Sequence, residues 1–302
     1  MFRDDSLRSA DGPALAQRPD MSRVRGRLMV CLLAIALGSA APAFAQSGAA
    51  SAPPTSQPDE DWTQPVTMEP DYSLINLPTT LRLPVHKGDF HLTHRFQGNL
   101  ANGSFGHQLG NLFGLDNGAV IGLEFRFSPI KYWQAAVYRN SLGKTFQFWG
   151  QYDRIRQSSS MPVSISPIVS VEGTDNFSEE YAPALGAVIS RTMKDRLALY
   201  AEPFWVHNTA PLSGETRDTF FIGVGGRFRI AQRSYVVGEV VPRAAGYAPA
   251  DPEYSFGIET RVGGHVFSLV FQNGFSTTFR QLAAGGFPDS LYLGFNLSRK
   301  FW

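Results

Sequence analysis

Residues Ser290–Trp302 read SLYLGFNLSRKFW. Every second residue gives Leu291, Leu293, Phe295, Leu297 and Phe301, and between them stand Tyr292, Gly294, Asn296, Ser298 and Lys300. A period of two sends successive side chains to opposite faces, so this is a strand with one apolar face and one polar face. Arg299 interrupts the apolar series near the end, where a long side chain can reach out of an apolar layer. The register puts Phe301 rather than Trp302 on the apolar face.

The same pattern recurs upstream. In Val120–Phe127, Ile121, Leu123, Phe125 and Phe127 oppose Gly122, Glu124 and Arg126. In Thr145–Asp153, Phe146, Phe148 and Tyr152 oppose Gln147, Gln151 and Asp153, with Trp149 on the polar side. In Phe220–Ile230, Phe220, Ile222, Val224, Phe228 and Ile230 oppose Gly223, Gly225, Arg227 and Arg229. In Glu253–Gly263, Tyr254, Phe256, Ile258 and Val262 oppose Ser255, Gly257, Glu259 and Arg261. Less regular segments of this type run near 89–97, 131–140, 161–172, 182–192, 196–207, 232–242 and 264–273. Turn-rich pieces such as 173–180, 208–218, 244–252 and 277–289 separate them, and helical periodicity is absent. At roughly 18 residues per strand and connection, the body predicts about twelve strands.

The chain has 302 residues and a formal net charge of +1, which gives no ground for a nucleic-acid partner. Its 23 Phe and 29 Gly suit packed sheet surfaces. Arg23, Arg25 and Arg27 precede the apolar run Leu28–Leu37, and Ala43-Phe44-Ala45 follows. That predicts a signal peptide over residues 1–45, cut after Ala45, with Met21 where such a peptide normally begins. The run is too short to span a bilayer. Cys31, the only cysteine, lies in it, so the exported chain would have no disulfide, thiolate metal site or attached c-type haem. Residues 46–71 are rich in Pro, Ser, Ala and acids without a period, and are expected to be a disordered periplasmic segment. Residues 72–302 are expected to form the folded domain, with no cofactor.

Two all-β architectures accommodate many alternating strands. A soluble sandwich or barrel buries its apolar face; an outer-membrane barrel turns that face to lipid and encloses the polar one. The export signal favours the second, as does the mixture of Gly, Ser, Gln and both signs of charge on the polar faces. Aromatics at the ends of the apolar faces (Tyr132, Trp133, Phe146, Tyr254, Phe301, Trp302) would form interfacial girdles. The expected fold is therefore a transmembrane antiparallel β-barrel exported to a Gram-negative outer membrane. Closure requires the last strand to pair with the first, because an open edge cannot lie in hydrocarbon. A chain finishing on such a strand resembles outer-membrane proteins in general, in which a terminal aromatic is read by the barrel-insertion machinery. The resemblance implies a role in insertion and closure for Phe301 and Trp302.

A narrower resemblance covers about residues 70–302. The segments HRF (94–96), FGLD (113–116), YRNS (138–141), KTF (144–146), QYDRIRQ (151–157) and MPVSI (161–165) occur in an order similar to that of a bacterial family of uncharacterised predicted membrane β-barrels. The resemblance implies an outer-membrane barrel. It carries over no catalytic or binding residue.

Charges aimed at lipid cost several kcal/mol near the midplane, so Glu124, Arg126, Asp153, Glu202, Arg227, Arg229, Glu239, Glu259 and Arg261 are expected to face the lumen. There they could set the selectivity of a passive channel or small-solute porin. Equally, they could fill a closed, structural barrel that anchors or accompanies a periplasmic or surface partner. His91 and His94 are three apart and point to opposite faces of a strand, so they make no metal pair; HRF could instead help the first strand meet the last. An enzymatic reading finds no nucleophile motif, and His265 and Ser268 fall on opposite faces. The expected surroundings are outer-membrane lipid and the insertion machinery, with a periplasmic partner left open.

Overall fold

A computed structural model describes residues 68–209, 217–247 and 251–301. The segment read as a signal peptide, most of the lead-in after it, and Trp302 lie outside these residues.

Thirteen strands form one antiparallel sheet. They are β1 (Gly88–Asn99), β2 (Ala119–Phe127), β3 (Trp133–Asn140), β4 (Phe146–Tyr152), β5 (Ser164–Thr174), β6 (Glu179–Met193), β7 (Leu197–Val206), β8 (Thr219–Arg229), β9 (Ser234–Val241), β10 (Arg243–Gly246), β11 (Glu253–Val262), β12 (His265–Gln272) and β13 (Tyr292–Phe301). Pro242 divides β9 from β10, and both pair with β8, so the two are halves of one strand and the barrel has twelve. Proline has no N–H for the ladder, yet its carbonyl still accepts from the Ile222 amide at 3.1 Å and carries the pairing past the break.

Each strand pairs with its chain neighbour, and the ring closes where β1 meets β13. The register runs from Gly88↔Phe301 through His94↔Phe295 to Arg95↔Gly294, and a bulge follows before Asn99↔Tyr292. The alternating stretch at the end of the chain is thus the closing strand. Its polar residues Tyr292, Asn296, Ser298 and Lys300 are buried, while Phe301 is exposed. The expected polarity holds around the ring. On β2, Ile121, Leu123, Phe125 and Phe127 are exposed on the outside and Glu124 and Arg126 are buried on the inside.

The first and last strand residues, Gly88 and Phe301, lie at one mouth, here the terminal mouth, and most connections there are short: 128–132, 194–196, 230–233 and 263–264. The other, far mouth carries the longer connections 100–118, 207–218, 247–252 and 273–291. Two short helices sit in these, α1 (Phe105–Gly110) and α2 (Phe279–Ala284), where the sequence shows no helical period. Each is capped by a hydroxyl, Ser104 or Thr278, that accepts an amide N–H of the first turn. Among the described residues no helix is long and apolar enough to cross a membrane, which says nothing of the strands.

A barrel of eight strands can fill its interior with side chains, whereas a wider one leaves space for a channel or a plug. In this chain residues 68–83 and α2 occupy that space. Met68, Tyr72, Leu74, Ile75, Leu77 and Leu83 are all buried. Residues 68–71, read from composition as the end of the lead-in, belong to the same buried segment, with Glu69 and Asp71 also enclosed. Alternation could not announce this segment, because it touches the polar wall of a barrel rather than a neighbouring strand.

Candidate functional site: a filled lumen

Residues 72–79 double back on themselves. The Thr79 amide donates to the Tyr72 carbonyl at 2.8 Å and the Leu74 amide to the Leu77 carbonyl at 2.7 Å. This leaves three successive N–H groups at the tip facing outward, and Glu239 of β9 receives them. One carboxylate oxygen accepts from Ile75 (3.1 Å) and Leu77 (3.2 Å), and the other from Asn76 (2.9 Å). The Asn76 side chain and Ser255 donate to the same carboxylate, at 2.9 and 3.0 Å. Successive backbone amides make a concave donor site suited to an anion, and in this lumen the anion is supplied by the wall.

Side chains of β2, β8 and β13 hold the carbonyls of the same turn. Arg126 donates to the Tyr72 carbonyl at 3.1 Å and is itself paired to Glu124 at 2.9 Å. Trp149 donates to the other oxygen of Glu124 at 3.1 Å, and the Arg126 guanidinium lies 4.5 Å from its ring. Arg227 donates to the Ser73 carbonyl at 3.0 Å and to Glu259 at 2.9 Å. Asn296 of β13 donates to the Ile75 carbonyl at 2.8 Å. Nearer the terminal mouth, Gln151 donates to the Thr79 carbonyl and Gln134 to the Leu81 carbonyl, while Arg82 donates to the Asp153 carbonyl. The Asp153 carboxylate accepts from Gln134, Gln151 and Ser166 at 2.5–2.6 Å.

Apolar contacts complete the seat. Leu74 lies over Gly225 and Leu77 over Gly223; a Cβ on these glycines would come within 2.3 and 2.8 Å of the respective leucine methyls. The strand glycines of β8 are therefore floor space for the segment. Toward the far mouth, Phe279 of α2 stacks on Phe204 at 4.4 Å, and Phe204 on Phe221 at 5.3 Å. Arg280 of α2 pairs with Glu180 at 2.9 Å, and Asn140 donates to Thr277 and Gln281. Outside the span, Lys144 lies 2.7 Å from Asp175 and holds its carboxyl below the usual range.

Of the nine charges expected inside, Glu124, Arg126, Asp153, Glu202, Arg227, Glu239 and Glu259 are buried in the lumen, and Arg229 and Arg261 are half-buried near the terminal mouth. Glu124, Arg126, Asp153, Arg227, Glu239 and Glu259 are brought together as the wall that holds residues 68–83. Glu202 is buried with neither carboxylate oxygen hydrogen-bonded among the described residues. Phe301 closes the ring beside Gly88.

Two further residues, Arg95 and Tyr200, were not among the candidate site residues. Arg95, fully buried, donates to Gln272 of β12 (2.6 Å), Asn296 of β13 (2.7 Å) and Asn76 of the lumen segment (2.9 Å). It staples the closing seam to the plug, and His94 beside it stacks on Phe295 at 4.9 Å. Tyr200 donates to Glu69 at 3.0 Å and anchors the start of the segment. The signal for Arg95 was its place opposite Gly294 on a polar face, and only the ring closure supplies its partners. Among the described residues no group of His, Cys, Asp and Glu has the geometry to hold a metal ion.

An apolar exterior, a closed ring of strands and a charged, filled interior define a membrane-bound β-barrel. The chain belongs to the family of membrane-bound β-barrel domains of unknown function, DUF5777, whose model matches residues 71–301. No curated protein matches it. Among solved structures, the chain is similar to the KdgM porin in complex with disordered oligogalacturonate, at 8% identity and a TM-score of 0.48, over 71% of this chain and 99% of the porin. The NanC porin gives 8% identity and a TM-score of 0.47 over 70% and 99%. Acinetobacter baumannii Omp33 gives 8% and 0.40 over 72% and 98%.

Proposed function

We propose that the protein is an outer-membrane barrel that is closed at rest by its own residues 68–83 and conducts small solutes only when that segment withdraws. The observation that carries this reading is the seating of three consecutive backbone amides, Ile75 to Leu77, on the Glu239 carboxylate. A peptide held this way displaces the water a passive pore needs. The mouth with short turns faces the periplasm in this reading and the long loops face outward, the usual sense for such barrels. The lumen charges first hold the plug and select ions only once it has left.

Single-channel recording in planar bilayers tests this. The full chain is expected to be almost silent, and a variant lacking residues 46–83 to show discrete steps whose ion preference changes with Arg227→Gln. Replacing Phe279 by Ser in that variant is expected to enlarge the steps, since α2 narrows the same lumen. Frequent steps from the full chain would favour a passive porin. Silence from every folded variant would favour a structural barrel that anchors a partner.

A further inference from the structure

The connection between β1 and β2 runs over residues 100–118 and does not rise away from the barrel. Asn99 pairs with Tyr292, which shares the inward face with Asn296. Gly98 next to it therefore faces outward. A Cβ on Gly98 would lie 2.1 Å from the Gly114 Cα, so the connection is pressed against the outer wall of β1, backbone to backbone. Gly114 has φ +87°, a conformation that favours glycine.

On the side turned away from the barrel this stretch is greasy. Phe105 is 74% exposed, Leu109 and Leu112 each 54%, and Phe113 and Leu115 are exposed as well. Phe105 and Phe113 meet edge to face at 6.0 Å, gathering the patch into one spot. Its other side is amide-rich: Asn99, Asn102, His107, Gln108 and Asn111 line a small cleft. Asp116 is the only Asp, Glu, Lys or Arg between Gly98 and Gly118. A contiguous exposed apolar patch of this kind marks a surface that meets a membrane or another protein.

We propose that residues 104–117 are an interfacial lipid anchor. Phe105, Leu109, Leu112, Phe113 and Leu115 seat at the boundary of acyl chains and headgroups beside β1, and the amide-rich side lies against the rim of the barrel, where Gln108 donates to the Asn99 carbonyl at 3.0 Å. The occupant is lipid because the patch continues the lipid-facing wall: it leaves that wall at Gly98, next to the outward His94, Phe96 and Phe295 cluster. A stretch lying in the plane of a bilayer binds in proportion to the apolar area it buries there.

The test uses the full chain with Cys31→Ser, reconstituted in phosphatidylcholine vesicles. A single cysteine at Leu109 carries an environment-sensitive fluorophore, and a second protein carries it at Asp175, an exposed loop residue of the same mouth. Heat-dependent mobility on gels confirms that both are folded barrels. At Leu109 the emission is expected to shift to the blue, with quenching by acyl-chain nitroxide lipids at least threefold stronger than at Asp175. Stronger quenching by aqueous iodide at Leu109 would overturn the proposal by placing the patch in water. Concentration-dependent self-quenching with shielding from both lipid and iodide would overturn it in favour of a second barrel as the cover.

Discussion

The Arg227 guanidinium lies 2.9 Å from the Glu259 carboxylate, and neither side chain reaches solvent. Removing one partner of such a pair strands the other charge in a poor solvent and costs about 3–5 kcal/mol. Glu259→Gln is expected to lower the urea midpoint of the reconstituted barrel accordingly, whereas Arg227→Met with Glu259→Leu is expected to recover most of the loss. The exposed Lys144–Asp175 pair at the far mouth is the control: Lys144→Ala is expected to change little, since exposed pairs contribute about 0–1 kcal/mol. Equal losses at both pairs would contradict the enclosure of Arg227.

Glu239→Gln keeps the shape of the side chain and removes the charge that gathers three amides. Hydrogen bonds to a charged group contribute about 1.5–3 kcal/mol each, so the turn is expected to open at least tenfold more often. Hydrogen–deuterium exchange at Ile75, Asn76 and Leu77 measures this directly. Exchange there should rise while the amides of β1 and β13 stay protected. A uniform rise over the whole barrel would mean that Glu239 supports the wall and not the segment.

Gly223→Val places methyl groups where the Leu77 side chain now sits, 2.8 Å from the nearest possible Cβ. The barrel is expected to survive because the clash is with a flexible side chain of the segment. Displacement should expose the Arg82–Leu83 bond, so trypsin is expected to cut there in the variant and to spare it in the parent. Gly257→Val is the contrast. Its Cβ would meet the Leu269 carbonyl oxygen at 2.1 Å, so strand pairing itself should fail and the folded yield should fall.

Arg95→Lys preserves a positive charge and loses the planar fork that reaches Gln272, Asn296 and Asn76 together. The closing seam is expected to weaken by about 1–3 kcal/mol, the usual cost of buried polar partners left unmatched. The gel temperature at which the compact form is lost should drop, and the segment should be released at the same temperature as the seam or below it. A variant as heat-resistant as the parent would show that backbone pairing alone closes the ring.

How much of this was legible depended on where a strand faces. β2, β8 and β11 turn apolar groups to the outside and mostly Gly, Ser or charge to the inside, Phe221 and Val120 apart, and their alternation could be read directly. β7, β9 and β12 also place Tyr200, Phe204, Tyr235, Val237 and Val270 inside, in one apolar cluster with the segment and α2. Their two faces look alike in sequence, which is why the pattern there is faint. α1 and α2 are single short turns on loops, too brief for a helical period to register.

Alternation along Ser290–Trp302 and its counterparts determined the two unlike faces of each strand, the approximate strand number and the set of charges that share the polar face, because a period of two is a local property of the chain; which face turns outward was read from the expected export signal and the make-up of the polar faces. The tertiary structure alone decided that the lumen is occupied. The amides of residues 75–77 meet Glu239 more than 160 positions away, and such a match between a peptide's donors and a wall carboxylate exists only after the ring has closed around them.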